Sequence, residues 1–500
     1  MLSIQPILVK QGFGAAQVLC RSMGTRFNIK SVNPNVIASE YAVRGEIIIR
    51  ANEIEDKIRR GQKFPFGDKL IYCNVGNPQC MKQKPITFLR ELLAITSWPD
   101  LMKTNPQLFH KDVIYRAKEI IEANPGGSGA YSHSAGIRKI REDVAQFIQS
   151  RDGYPCRSEN IFLTNGASEG IQDILTLLVH DKNDGVLVPI PQYPLYSATI
   201  SLHGGQMVKY YLEEDKSWGI DMNEIEKSYA KAVEQGIHIK AFVAVNPGNP
   251  TGKFFTRKEM EDIIRFCAKN NLVILADEVY QTNVYHPSIK FESFKKVVND
   301  LGASASGVEI ASFNSVSKGF WGECGRRGGY TELYNFDEDV RDQLYKVASI
   351  RCCSNIDGQI AVDAMVNPPK PGEPSYDLYN EEKSNILSSL KRRADKLTSA
   401  LNTLEGVHCL PVDGALYTYF SLTIPPKAIE TCRLHGYYAD TQYCMGLLNE
   451  TGVVCVPGSG FGQVPGTYHV RSTILPPENE IDTVIERMKS FHSNYMNRYR

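Results

Sequence analysis

Between about residues 120 and 370, short and continuously apolar runs alternate with amphipathic stretches. Runs of five or six apolar residues are typical of strands that are buried on both faces of a sheet. The stretches between them carry apolar residues at helical spacing, and the one at 256–270 opens with a capping box, Thr256 followed by Glu259. This alternation predicts an α/β fold with a mostly parallel sheet covered by helices. The predicted strands are 185–190, 240–245, 272–276 and 309–313.

A proline-rich stretch at 366–375 interrupts the pattern. Proline restricts the residue before it and cannot continue a helix, so this stretch is the best internal boundary. A long helix is predicted from 379 to about 404, followed by a segment rich in strands. We therefore expect a large domain at 116–370 and a C-terminal part of a smaller domain at 371–500.

The first 39 residues contain four basic side chains and no acidic one. Their apolar residues recur at near-helical spacing, and a basic, acid-free, amphipathic start is the pattern of a mitochondrial transit peptide. We interpret residues 1–26 in this way and expect the mature protein in the mitochondrial matrix. An untargeted cytosolic arm is the alternative interpretation.

Composition excludes several functional classes. The chain has 500 residues with 56 basic against 56 acidic side chains, so no net positive charge would attract nucleic acid. No apolar run approaches the length of a membrane span. The 12 cysteines are scattered without a C-x-x-C pair, which indicates reduced thiols, and no histidine cluster has the spacing of metal ligands. We expect no metal, membrane or nucleic-acid partner.

Polar side chains follow three predicted strands in succession. Asn249 comes in an NPGNPTG turn after the first, Asp277 directly follows the second, and Lys318 follows the third in an S-x-S-K sequence. Each residue alone has a plain structural interpretation as a turn, a helix cap or a surface lysine. Because ligands bind beyond the carboxyl ends of parallel strands, the three together predict one functional cleft.

At this point the chain resembles the class I aminotransferases, pyridoxal-phosphate enzymes of fold type I, and among them the alanine aminotransferases. The resemblance is carried by the following segments: 74–79 (NVGNPQ), 129–132 (GAYS), 190–197 (IPQYPLYS), 246–252, and 317–330 with its S-K-G and G-R-R-G-G-Y sequences. It implies a fold type I transferase whose smaller α/β domain is built from both chain ends. Residues 27–115 would then be an N-terminal arm and part of that small domain.

The resemblance implies roles for the residues around the cofactor, pyridoxal 5'-phosphate. Lys318 would hold the cofactor as a Schiff base and then move the substrate α-proton, and Asp277 would keep the ring nitrogen protonated. Tyr280 and Asn249 would hydrogen-bond the ring oxygen, and Tyr193 would stack on the ring, with a plain core aromatic as the alternative for Tyr193.

The cofactor phosphate requires a dianion site. Gly166, Ala167 and Ser168 precede a predicted helix, whose N-terminal N–H groups suit a phosphate. Ser315 and Arg326 would complete the site; Arg327 is adjacent, but the spacing favours Arg326. Tyr131 resembles a tyrosine that reaches the phosphate of the neighbouring subunit, which implies a homodimer with shared active sites.

The substrate would be held by residues from both chain ends. Arg471 matches an arginine that binds the α-carboxylate as a bidentate fork, and Gly76 would let the backbone close over the same group. Asn249 would also contact substrate.

The expected activity is amino transfer from L-alanine to 2-oxoglutarate by a ping-pong cycle. Glutamate:glyoxylate aminotransferase is the nearest alternative activity. An aminocyclopropane-carboxylate synthase is a more distant alternative, and a non-catalytic regulator built on the same fold is the third. No arginine can be assigned to the side-chain carboxylate of glutamate from the pattern alone.

Overall fold

The structure, a computed structural model, describes residues 27–41 and 45–500. The segment interpreted as a transit peptide, 1–26, lies outside these residues. The described residues form a large eight-stranded sheet with the strand order β2-β9-β8-β7-β6-β3-β4-β5. Its central pairs are parallel, whereas β9 and β5 pair antiparallel with their neighbours. The strands are β2 (Ile161–Thr164), β3 (Asp184–Ile190), β4 (Gln206–Glu213), β5 (Gly219–Ile220), β6 (His238–Val245), β7 (Val273–Asp277), β8 (Ile310–Ser315) and β9 (Gly329–Tyr334).

The helices of the described residues surround this sheet and build the rest of the molecule. In chain order they are α1 (Pro34–Ala38), α2 (Glu46–Arg59), α3 (Thr87–Ser97), α4 (Leu101–Thr104), α5 (Lys111–Ala123), α6 (Arg138–Asp152), α7 (Ala167–Leu178), α8 (Leu195–Leu202), α9 (Met222–Glu234), α10 (Arg257–Asn270), α11 (Phe294–Leu301), α12 (Glu338–Ile350), α13 (Ile356–Val366), α14 (Tyr376–Leu401), α15 (Pro426–His435), α16 (Ala439–Thr451) and α17 (Glu478–Tyr499). None of them is long and apolar enough to cross a membrane.

Both faces of the large sheet are buried, as the continuous apolar strands predict. Alternate strand residues point to opposite sides. Val243 and Leu275 pack with α7, α8 and α12 on one face, whereas Phe242 and Ile274 pack with α9, α10 and α11 on the other. The α/β architecture with a covered, mostly parallel sheet is therefore confirmed.

The predicted strands and helices agree with the structure to within a few residues. The four predicted strands are β3, β6, β7 and β8, and the capping box at the start of α10 is present in full. The long helix that follows the proline-rich stretch is α14, which begins three residues earlier than predicted.

The smaller part of the molecule combines both chain ends. β10 (Val407–Cys409), β11 (Tyr417–Leu422), β14 (His469–Thr473) and β13 (Val456–Pro457) form an antiparallel sheet in that order. β1 (Ile71–Tyr72) pairs in parallel with β12 (Val453–Val454), about 380 residues later in the chain. This pairing confirms a small α/β unit made from the two ends, and it places β11 and β14 opposite the carboxyl ends of the large sheet.

Candidate active site

A cavity of about 320 Å³ lies between the carboxyl ends of β6, β7 and β8 and the small sheet. Neighbouring strands β6, β7 and β8 put Asn249, Asp277 and Lys318 on its wall. Sequence reasoning predicted that these three side chains would meet, and the structure brings them together. The buried side chain of Asn246 accepts from the Phe255 N–H at 3.1 Å, which holds the turn that presents Asn249.

Asp277 is a buried carboxylate with one oxygen unsatisfied. Its Oδ2 accepts a hydrogen bond from the Tyr196 hydroxyl at 3.1 Å, while Oδ1 is buried and has no partner among the described residues. Burial raises the pKa of Asp277 to about 6, although the hydrogen bond from Tyr196, the Val279 N–H and the charge of Lys318 oppose this shift. A buried carboxylate oxygen without a donor is costly unless a cation or donor meets it.

Lys318 projects into the middle of the cavity beside aromatic side chains. Its Nζ lies 5.5 Å from the centre of the Tyr280 ring. Tyr280 is buried, and its hydroxyl donates to the hydroxyl of Tyr417 at 3.4 Å. Burial raises the pKa of Tyr280 well above its usual range, so this hydroxyl keeps its proton at neutral pH. Tyr193 also lines the cavity, with its hydroxyl 2.9 Å from that of Tyr41.

One end of the cavity is a cup of hydroxyl and N–H groups. Helix α7 starts there, and Ala167 and Ser168 line the wall together with Ser315 and Ser317. The N–H groups of a first helical turn lack acceptors within the helix. Gly166 precedes the helix with φ +79°, and a Cβ at this position would lie 2.5 Å from the Arg327 guanidinium. Glycine is needed here for the positive φ, since the Arg327 side chain could move aside, and the cup suits a phosphate.

The structure corrects the choice between the two adjacent arginines. Arg327 lines the cavity and donates to the Ser168 hydroxyl at 3.2 Å and to the Asn165 carbonyl at 3.0 Å. Arg326 is not among the cavity residues, and its Nη1 lies 3.3 Å from Asp357. The reason is a backbone reversal, since Arg327 has φ +51° after a short 3₁₀ turn and its side chain points back over Gly166. The spacing between Lys318 and the two arginines in the sequence does not reveal the φ angle of Arg327.

Arg471 forms the opposite wall of the cavity. It is 2% exposed on β14, donates to Asn249 Oδ1 at 3.0 Å and to the Asn74 carbonyl. Its Cζ lies 4.2 Å from the centre of the Tyr417 ring and 4.5 Å from that of Phe461. Its Nε is buried without a partner among the described residues, so a donor remains available for a planar anion. Gly76 lines the cavity beside it.

Tyr131 stands apart from the other predicted residues. It is 81% exposed and does not line the cavity of its own chain, so its role toward a neighbouring subunit stays a prediction. Sequence reasoning did not assign six polar residues that line the cavity: Tyr41, Asn77, Ser317, Cys324, Arg327 and Tyr417. Ser317 precedes Lys318 directly and could have been found by that spacing. Tyr417 looks like a core aromatic of a strand, and nothing in the sequence marks Tyr41.

Known proteins resemble this chain in sequence and in fold. The model of the family described as aminotransferase class I and II matches residues 101–488. A probable mitochondrial alanine aminotransferase of Dictyostelium discoideum is 49% identical over 94% of this chain and 90% of its own length. Glutamate–glyoxylate aminotransferase 2 of Arabidopsis thaliana is 46% identical over 94% of this chain and 96% of its own. The solved structure of an alanine aminotransferase from Pyrococcus furiosus superposes with a TM-score of 0.73 at 24% identity, covering 93% of this chain and all of that one.

The chain therefore belongs to the class I and II aminotransferases and is an aminotransferase. Its fold is that of the fold type I pyridoxal-phosphate enzymes.

Proposed function

We propose that this protein is a pyridoxal-phosphate-dependent alanine:2-oxoglutarate aminotransferase. The observation that carries the proposal is the placement of Lys318, Asp277 and Arg471 in one cavity, each with the chemistry that amino transfer requires. The 49% identity to a relative named as an alanine aminotransferase supports the substrate.

The residues present fit the cofactor. The unpartnered Asp277 Oδ1 suits a protonated ring nitrogen, and the cup of Ser168, Ser315, Ser317 and Arg327 suits a phosphate dianion. Tyr193 offers an aromatic face between these two ends. When bound, the cofactor supplies an electrophilic carbonyl and a ring that accepts electrons from the substrate α-carbon.

The chain's own residues orient the substrate and move its proton. Arg471 binds the α-carboxylate through its free N–H, and the stacked aromatic rings fix the plane of the guanidinium. The α-carbon would lie between Arg471 and Lys318, whose Nζ takes the α-proton from alanine and, in the second half-reaction, delivers a proton to the α-carbon of glutamate. Asn249 would contact both the substrate and the cofactor. Its Oδ1 accepts a hydrogen bond from Arg471, which binds the substrate. Residues of the small sheet, Tyr417 and Arg471, form one wall of the cavity.

Glutamate–glyoxylate exchange is the second candidate, favoured by the 46% identical relative that carries this name. Both reactions use the same groups, and they differ in the amino donor and in the oxo acid that accepts the amino group.

Substrate profiling of the purified protein, loaded with pyridoxal phosphate, tests the proposal. We expect kcat/KM for L-alanine with 2-oxoglutarate to exceed that for L-aspartate with 2-oxoglutarate by at least tenfold. Lys318→Ala, which removes the amine but keeps the backbone, is the inactive control. A higher kcat/KM for aspartate would contradict the alanine assignment, and a higher kcat/KM for glutamate with glyoxylate would favour the second candidate.

We also propose a homodimer in the mitochondrial matrix. The basic, acid-free start of the chain and the word mitochondrial in the name of the Dictyostelium relative support the location. The exposed Tyr131 supports an active site shared between subunits.

A further inference from the structure

Tyr417 is an active-site side chain whose hydroxyl has no role in the proposed reaction. It lies on β11, is 3% exposed, and lines the cavity. A Cβ built at Gly76 would lie 2.5 Å from the Tyr417 hydroxyl and 3.4 Å from Lys318 Nζ, so both groups lie close to Gly76. The hydroxyl of Tyr417 therefore lies at most about 6 Å from the Lys318 amine.

The ring of Tyr417 faces the other functional cation. Arg471 Cζ lies 4.2 Å above its centre, and Phe461 packs on the same guanidinium at 4.5 Å. A cation over an aromatic face is attracted to it, the more so when both are buried. The ring face of Tyr417 thus contacts Arg471, which binds the carboxylate. Its hydroxyl edge approaches Lys318, which moves the proton.

The hydrogen bonding of Tyr417 leaves its proton free. The Tyr280 hydroxyl donates to Tyr417 Oη at 3.4 Å, so the Tyr417 O–H can donate elsewhere. The groups that act on this hydroxyl are Lys318, Arg471, Tyr280 and Cys324. The positive charges of Lys318 and Arg471 lower the pKa of Tyr417, although burial opposes the shift. When Lys318 is neutral, the charge of Arg471 still polarises this phenol and makes it a stronger hydrogen-bond donor than an ordinary tyrosine.

We propose that Tyr417 is a positioning residue of the reaction: its hydroxyl donates to the neutral Lys318 amine and directs it at the substrate α-proton, while its ring holds the plane of Arg471. This inference rests on the proposed function, since it assigns a residue to the same site. When Lys318 has taken the α-proton, the ammonium donates back to Tyr417 Oη. The hydroxyl keeps its own proton throughout, so the substrate proton is the one that moves.

Two substitutions separate the roles of hydroxyl and ring. Tyr417→Phe removes the hydroxyl and keeps the ring, and we expect kcat to fall roughly tenfold or more with KM for the amino donor changed less than about threefold. The primary isotope effect on kcat with α-deuterated donor should rise, because proton transfer becomes slower. Tyr417→Leu removes both parts, and KM should then rise as well, by roughly tenfold.

Tyr419→Phe is the matched control. Tyr419 lies two residues along β11, is buried, and has a hydroxyl without a partner among the described residues, but it does not line the cavity. We expect its kcat, KM and isotope effect to match wild type. Thermal melting of all three variants without cofactor checks that each is folded.

The donor in these assays is whichever amino acid the wild-type enzyme uses best, so that a wrong alanine assignment does not affect the outcome. A Tyr417→Phe enzyme with wild-type kcat and isotope effect would overturn the role of the hydroxyl. A Tyr417→Leu enzyme with wild-type KM would overturn the role of the ring. The rate at which one equivalent of donor bleaches the visible cofactor band gives the same comparison without turnover: a slower rate in Tyr417→Phe is expected, and an unchanged rate contradicts the proposal.

Discussion

Arg326 and Arg327 follow one another in the chain, and their side chains lie in different places. Arg327 faces the cup formed at the start of α7, and Arg326 pairs with Asp357 at 3.3 Å. Both residues have the same chemistry, so the left-handed backbone at Arg327 decides which of them can meet a phosphate.

These two arginines make a matched pair of test positions. We expect Arg327→Ala to weaken the affinity for pyridoxal phosphate at least tenfold, because a charge-assisted hydrogen bond to a phosphate contributes about 1.5–3 kcal/mol. Arg326→Ala should change it less than about threefold. Fluorescence titration of the apoprotein with cofactor measures both, and a larger loss in Arg326→Ala would restore the interpretation drawn from spacing.

Asp277 makes the stability of the cofactor-free protein depend on pH. Burial raises the pKa of Asp277 to about 6, above the ordinary value near 4 for the unfolded chain. A raised carboxyl pKa means that the folded state favours the protonated form. The stabilisation is therefore complete below about pH 4 and is lost as the pH rises through about 6, by on the order of 3 kcal/mol.

Asp277→Asn should remove this dependence. Relative to wild type, we expect the free energy of unfolding of the variant apoprotein to be higher at pH 7.5 than at pH 4.5, as measured by urea denaturation. Activity should nevertheless be lost almost completely, because the amide cannot keep a ring nitrogen protonated. An Asn variant whose stability relative to wild type is the same at both pH values would show that Asp277 is not perturbed by burial.

Among the secondary-structure elements, the ends of the strands could be predicted because a buried strand appears in the sequence as a continuous apolar run. Asn249, Asp277 and Lys318 follow such runs, and their meeting at one sheet edge follows from parallel pairing. Tyr417 was hidden because an aromatic in a strand has the pattern of a core residue. Tyr41 reaches the site from 152 residues before Tyr193, a contact that only the tertiary fold creates.

The capping box of α10 provides a test of stability away from the cavity. Thr256 accepts from the Glu259 N–H, and the Glu259 carboxylate accepts from the Thr256 N–H at 2.7 Å. We expect Thr256→Ala to lower the free energy of unfolding by about 1 kcal/mol with kcat unchanged, because the helix loses its N-cap. Thr256→Ser keeps the hydroxyl and should remain within about 0.5 kcal/mol of wild type. Equal losses in both variants would show that the cap contributes nothing.

At the scale of the molecule, the site depends on both chain ends. Gly76 precedes the large sheet and Arg471 lies near the C-terminus, and the pairing of β1 with β12 brings the two ends together. The sequence pattern predicts a boundary near residue 370, but a pairing across some 380 residues has no local signal. The resemblance to a family, rather than periodicity, supplied that part of the fold.

A shared active site predicts complementation between two defective subunits. Lys318→Ala and Tyr131→Ala should each have low activity as homodimers. In a mixed dimer, one site combines an intact Lys318 with an intact Tyr131 of the partner subunit. Unfolding and refolding an equal mixture should therefore restore about a quarter of wild-type activity. If the mixture shows only the average of the two variants, Tyr131 does not act across an interface.

In the proposed reaction, one cavity takes the amino group from alanine and keeps it until an oxo acid arrives. The most direct test mixes the loaded enzyme with L-alanine in the absence of any oxo acid and counts the pyruvate released per active site. We predict one equivalent of pyruvate, followed by one equivalent of glutamate when 2-oxoglutarate is added to the desalted enzyme. Release of pyruvate only when 2-oxoglutarate is present from the start, or no pyruvate at all, would contradict the account.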